Sequence, residues 1–425
     1  MKLMNVFPFC LSLLITTALF VNELFGPALL AVALAVMAVL VAANPRIMFV
    51  TAVNSGVIQW LILLLLGLST LWSGDPAITF RAAVQVGLTI LLAICLCSYA
   101  RPIHLVQSIN IVCGVIVIAS LISGRRGLDG MTGMSNLVGI TNNKNTLSSY
   151  AGLLVLSSIT ILATPRTSWA WKSVALLAAP IGFLTTFASY SVAVIFITIV
   201  ATTILVAINL AQLLPKQKRR DYIEQMISVG FIVIPVGGIF FSFFWDDALR
   251  LVGKEPTLTG RTVLWFYADR FSRDHYLIGV GFADFWVQGK ATAEFLWRML
   301  HIDSRSGFHF HNIYYQFSIE LGVLGVILLV FYQIFILRDM AKSVLDQPNA
   351  ISAFQAAFVI FLTIEEFQGV ALFQTFSPLF FTCVACVTFA RMARHREIAG
   401  VEGDPRAVSR PLRSPRCEGG ETQSP

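Results

Sequence analysis

Apolar runs long enough to cross a bilayer recur about twelve times along this chain, and no other feature restricts its fold as strongly. A helix rises 1.5 Å per residue, so roughly 20 apolar residues cover about 30 Å of hydrocarbon. The runs are Val6–Val21, Pro27–Ala43, Val57–Trp72, Ala82–Tyr99, Ile103–Ser123, Thr146–Ala163, Val174–Ala188, Val192–Leu214, Gln225–Trp245, Ile313–Leu337, Ala350–Phe367 and Ala371–Ala390. The faintest break, Ala188–Ser191, divides a charge-free stretch about twice one crossing in length, which argues for two helices and a tight turn. The expected fold class is therefore all-α: a polytopic membrane protein. Composition excludes the soluble alternative, since 56% of the 425 residues are hydrophobic and 12% charged, whereas about a quarter of a soluble domain is charged. The seven cysteines fall almost wholly inside apolar runs and read as small core residues. Met1–Gly26 imitates a signal peptide but has no small-x-small cleavage site, and is kept as the first span.

Charge placement orients the chain. Arg46, Arg101, Arg166 with Lys172, Lys216 to Arg220, Arg338 with Lys342, and Arg391 to Arg396 fall in alternate loops, which the positive-inside rule makes cytoplasmic. The net charge of +7 thus reflects topology, and no nucleic acid partner is implied. Residues 1–245 are read as nine spans, 246–312 as an external loop subdomain, 313–390 as three further spans and 391–425 as a disordered cytoplasmic tail. No internal repeat of the kind found in many transporters is evident.

The segment Asp246–His311 gathers roughly a third of the charged residues, in about equal numbers of each sign, with aromatics throughout. It is too long for a connector. It reads either as a small subdomain resting on the membrane or as a solvated loop with interfacial anchors. Arg261 precedes a short helix expected over Val263–Phe271, where a guanidinium near a helix start suits an anion; a lipid headgroup or a loop carboxylate would satisfy it equally. His309-Phe310-His311-Asn312 stands at the mouth of the tenth run, so an imidazole there can take up a proton near neutral pH or merely cap the helix. No third ligand supports a metal at His309 and His311. Asn142-Asn143-Lys144-Asn145 opens the sixth run, again suiting an anion or simple Asn capping. Glu365 and Glu366 lie near the end of the eleventh, costly unless they meet water or a cation.

Taken in order, these pieces resemble the O-antigen ligase and Wzy-type polymerase family. They are Leu71-Trp72-Ser73-Gly74-Asp75-Pro76 before Arg81, Gly139-Ile140-Thr141-Asn142-Asn143-Lys144-Asn145, and Thr259-Gly260-Arg261 with Trp265. Then come Gly279-Val280-Gly281-Phe282 with Phe285-Trp286, His311-Asn312 with Tyr315, and Glu320-Leu321-Gly322 with Gly325. Within that family the details are most similar to exopolysaccharide polymerisation proteins of ExoQ type, over about Leu68–Phe389. One departure stands out: many relatives carry a Ser-Arg pair at the turn after the seventh span, where this chain has Ser189-Tyr190-Ser191-Val192.

The resemblance implies a GT-C-like, metal-independent glycosyltransferase of a bacterial inner membrane with its active site facing the periplasm. Its donor would be an undecaprenyl-diphosphate-linked oligosaccharide, with no cofactor. On that basis His311 is the expected base and Arg261 the expected diphosphate ligand, with Lys144 and Arg81 as further cations and Asn312, Asn145 and Glu366 in support. A polymerase extending another lipid-linked repeat unit ranks ahead of a ligase acting on lipid A-core. A chain-length regulator and a flippase are candidate partners. A transporter is the alternative from another class.

Overall fold

The computed structural model describes residues 6–128, 135–230, 261–305 and 308–398. Apart from a two-stranded hairpin, Arg126–Leu128 with Ser135–Leu137, the regular structure described is helical. The helices are α1 (Val6–Phe25), α2 (Ala28–Ala43), α3 (Pro45–Asn54), α4 (Val57–Leu68, continued by a 3₁₀ turn at Ser69–Leu71), α5 (Pro76–Tyr99) and α6 (Pro102–Ser123). They continue with α7 (Lys144–Ala163), α8 (Trp169–Ala188), α9 (Val192–Ala211), α10 (Arg261–Ser272), α11 (Ala291–Met299), α12 (Ile313–Glu320), α13 (Gly322–Asp346), α14 (Ala350–Glu365) and α15 (Pro378–Ile398). Among the described residues seven helices are long and apolar enough to cross a membrane singly. The chain is an all-α, multi-pass membrane protein.

The structure departs from the simple twelve-span pattern in four places. The basic loop at Arg46 is helical: Pro45 cannot continue α2, and Asn44 before it adopts an extended φ of −144°, so α3 leaves α2 at 106°. Residues 216–230 are helical too, taking in the basic stretch Lys216–Arg220; the rest of the ninth run lies outside the described residues. The tenth run is broken at Leu321, where Gly322 takes φ +64° and α13 begins anew. The helix of the twelfth run, α15, starts at Pro378 rather than Ala371, and it runs on to Ile398, through residues read from the sequence as tail.

α7 is surrounded by protein, with buried residues on every side from Leu147 to Ser158, and much of α15 is likewise enclosed. On α8 and α9, by contrast, Leu176, Leu177, Leu184 and Phe196 are exposed, as expected of helices facing lipid. A second, smaller apolar cluster joins Leu264 and Ala268 of α10, Leu296 of α11, and Phe285, Phe310 and Ile319.

Candidate functional site

The pieces singled out along the sequence are largely brought together at one end of the bundle, where they hold each other. The break between α12 and α13 frees backbone groups that the segment 276–281 satisfies. Val280 N donates to Ile319 O and Gly281 N to Glu320 O, both at 2.9 Å, and Val323 N donates to Tyr276 O at 2.8 Å. Gly279 and Gly322 both take positive φ, and a Cβ on either would collide with the facing backbone, so the close approach requires glycine at both. On its other side the same segment docks onto the start of α5. Trp72 Nε1 donates to Ile278 O at 3.1 Å, Thr79 Oγ1 to Phe282 O at 2.8 Å, and Phe282 N to Ser69 Oγ at 3.1 Å. Asp284, 1% exposed, accepts from Gly74 N at 2.9 Å and Asp75 N at 3.1 Å, and pairs with Lys290, which also reaches Asp75 at 3.1 Å. Sequence reading missed Asp284 and Lys290. The available signal was a lone carboxylate inside the aromatic run Phe282–Trp286.

Arg261, on α10, lies close enough to lower the pKa of both His309 and His311, and α10 packs through Leu264 and Ala268 against Phe285 and Phe310. One turn on from Arg261, Trp265 Nε1 donates to Phe310 O at 2.9 Å, and its ring stacks on Tyr315 at 5.5 Å. Asn312 caps α12, its Oδ1 accepting from Tyr314 N at 2.9 Å and Tyr315 N at 3.4 Å. Capping is thus done by Asn312, which leaves His311 the residue before it. His311 sits at φ +53°, a backbone state uncommon outside glycine and often met at functional sites. Its backbone N–H donates to His309 Nδ1 at 3.0 Å, and the two imidazole centroids lie 4.3 Å apart. Burial, and next the Arg261 cation, lower the His309 pKa to about 4. Burial, then His309 and then Arg261, hold His311 well below the ordinary histidine value. Both rings are therefore neutral at pH 7. Among the described residues no group of three or more His, Cys, Asp or Glu side chains is arranged to share a metal ion.

A second arm of the rim is built from α7, α14 and the α8–α9 turn. Asn143 caps α7, accepting from Thr146 N at 2.9 Å, so Lys144 is the helix's first residue. Asn145 accepts from Ser191 Oγ at 2.8 Å, which binds the start of α7 to the turn that lacks an arginine. One turn along α7 from Asn145, Ser149 Oγ donates to Glu365 Oε1 at 2.8 Å. Glu366 is fully buried, and its carboxylate accepts from Leu372 N at 2.8 Å and Ala371 N at 3.2 Å. These bonds shape the turn that delays α15 to Pro378. The two arms meet where Ile313 N donates to Glu366 O at 3.0 Å and Asn312 Nδ2 to Phe367 O at 3.2 Å. Arg81 is exposed on α5, with no hydrogen bond or ion pair tying it to the other candidates among the described residues. Thr259 and Gly260 lie outside the described residues.

Residues 144–330, from the first residue of α7 into α13, match the family model for O-antigen ligase. The match takes in Lys144, Arg261, His311 and Asn312 and stops short of Glu365. Over a longer span the chain is similar to the exopolysaccharide production protein ExoQ of Rhizobium meliloti (strain 1021). The two are 25% identical over 298 residues, which covers 68% of this chain and 67% of that protein.

Proposed function

We propose that this protein is a polysaccharide polymerase of exopolysaccharide or O-antigen synthesis, moving an undecaprenyl-diphosphate-linked glycan onto a sugar hydroxyl of another lipid-linked repeat unit. One observation carries the reading. The Arg261 guanidinium on α10 and a pair of neutral imidazoles, on a backbone braced by Asn312, stand together at one end of a membrane bundle. Arg261 binds the donor diphosphate, its planar fork matching two phosphate oxygens, and Lys144 adds a second charge. An imidazole nitrogen of His311 takes the proton of the acceptor hydroxyl as its oxygen bonds to the anomeric carbon. The bond from that carbon to the diphosphate oxygen breaks, and undecaprenyl diphosphate leaves with the electron pair. Diphosphate needs no general acid when cations stabilise it, so no metal is required. Pairing Arg261 with the anion also offsets the cation that depresses His311, which raises the base's proton affinity when donor is bound.

The catalytic end faces the periplasm of the inner membrane in this reading, since the basic loops lie opposite. The resemblance to ExoQ favours polymerase over ligase. The test uses purified protein in nanodiscs, lipid-linked oligosaccharide and no ion gradient. His311→Ala should accumulate normally, bind the donor and lose extension by about a hundredfold to ten-thousandfold, while Arg261→Lys should lose most donor affinity and Lys144→Ala less. Near-normal extension by Arg261→Ala, or loss of wild-type turnover on adding chelator with recovery on zinc or magnesium, sinks the mechanism. Transfer to lipid A-core but not to a lipid-linked repeat unit makes the protein a ligase.

A further inference from the structure

Two consecutive carboxylates close α14, and their surroundings differ. Glu366 is satisfied by the backbone of Ala371 and Leu372. Glu365 points toward α7, where Oε1 takes one bond from Ser149. Its Oε2 is buried, with no hydrogen-bond partner among the described residues. Burying a carboxylate oxygen without a donor is costly, and such a group is expected either to neutralise or to await a donor from a ligand. Its place is informative. The next two carbonyls, of Glu366 and Phe367, hold Ile313 and Asn312, and Ser149 lies one turn from Asn145, itself bound to the α8–α9 turn. Glu365 thus stands where the His311 arm and the Lys144 arm of the rim join. A carboxylate repels the diphosphate that Arg261 and Lys144 attract, so its complement is an uncharged donor. In a glycan that donor is a hydroxyl.

We propose that Oε2 of Glu365 accepts a hydrogen bond from a sugar hydroxyl of the lipid-linked glycan, forming a carbohydrate subsite beside the diphosphate site. The inference rests on the function proposed above and adds to it a division of labour: cations for the leaving group, a carboxylate for the sugar. Two probes separate these roles, undecaprenyl diphosphate without sugar and the undecaprenyl-linked oligosaccharide extracted from cells lacking this protein. Glu365→Gln has the same shape and keeps an oxygen for Ser149. It should melt at the wild-type temperature, bind undecaprenyl diphosphate as well as the wild type does, and bind the oligosaccharide about ten- to a hundredfold more weakly. Ser149→Ala, which leaves the carboxylate in place, should keep the wild-type preference for the glycosylated probe. Arg261→Ala should weaken both probes. Equal binding of the oligosaccharide by Glu365→Gln and wild type, or an equal loss for both probes, overturns the subsite. Wild-type protein that binds neither probe overturns the proposed function, and the subsite with it.

Discussion

At the residue scale the informative groups are His309 and His311. Free histidine titrates near 6.5, while burial and the neighbouring Arg261 bring His309 down to about 4 and lower His311 as well. If His311 is the base proposed above, it stays neutral and competent through pH 6.5, so the acid limb of kcat/KM should lie below that value. Removing the cation in Arg261→Gln should move the limb of the residual activity upward, and an unmoved limb would separate Arg261 from the imidazoles. Stability follows the same sign: in the window between about 4 and 6.5 the unfolded chain binds more protons at His309 than the folded one. The stability is in full above about 6.5 and is lost as pH falls toward 4. Melting in detergent across that window should show a slope that His309→Gln reduces. His311 and Arg261 were recognisable in the sequence because they sit beside helix starts. The split between Glu365 and Glu366 was not, because adjacent positions on a helix point about 100° apart and only the neighbours say where.

At the element scale the segment 276–290 works as a clasp between α5 and the α12–α13 break. Gly322→Ala places a Cβ against the backbone of Leu277 and Ile278 at a positive φ, so it should fold poorly and melt several degrees lower. Asp284→Ala leaves the N–H groups of Gly74 and Asp75 without their acceptor and removes one of the two carboxylate partners of Lys290, a loss of about 1–3 kcal/mol. Lys290→Gln, whose side chain is partly solvated, should cost less. Thermal melting of the three variants ranks them, and an Asp284→Ala protein as stable as the wild type would remove the clasp from the account. The sequence marked Trp72–Pro76, Gly279–Phe282 and Glu320–Gly322 as pieces of a pattern. That they bond to one another, 200 residues apart in the first case, emerges only from the fold.

At the scale of the whole molecule the basic loops predict the orientation. Lys218 and Arg298 are both exposed, the first in the basic helical stretch 216–230 and the second on α11. A single cysteine at Arg298 should react with a membrane-impermeant thiol reagent in spheroplasts, and one at Lys218 should react only after permeabilisation. The reverse pattern would invert the protein and put the proposed site in the cytoplasm. The membrane spans were legible because hydrocarbon demands long apolar helices whatever they pack against. The irregular ends of those spans were not: α3, the break at Leu321 and the late start of α15 depend on local partners such as Ser98 for Thr51 and Ala371 for Glu366.

The sequence by itself determined the solvent, the all-α class and the residues able to handle an anion and a proton, because each follows from composition, run length or side-chain chemistry. Tertiary structure decided which of those residues share a site. It set Arg261 beside the two histidines, turned Glu366 inward to its own backbone and aimed Glu365 at α7. These outcomes depend on contacts between segments far apart in the chain, and hydropathy, which is read along the chain, carries no record of them.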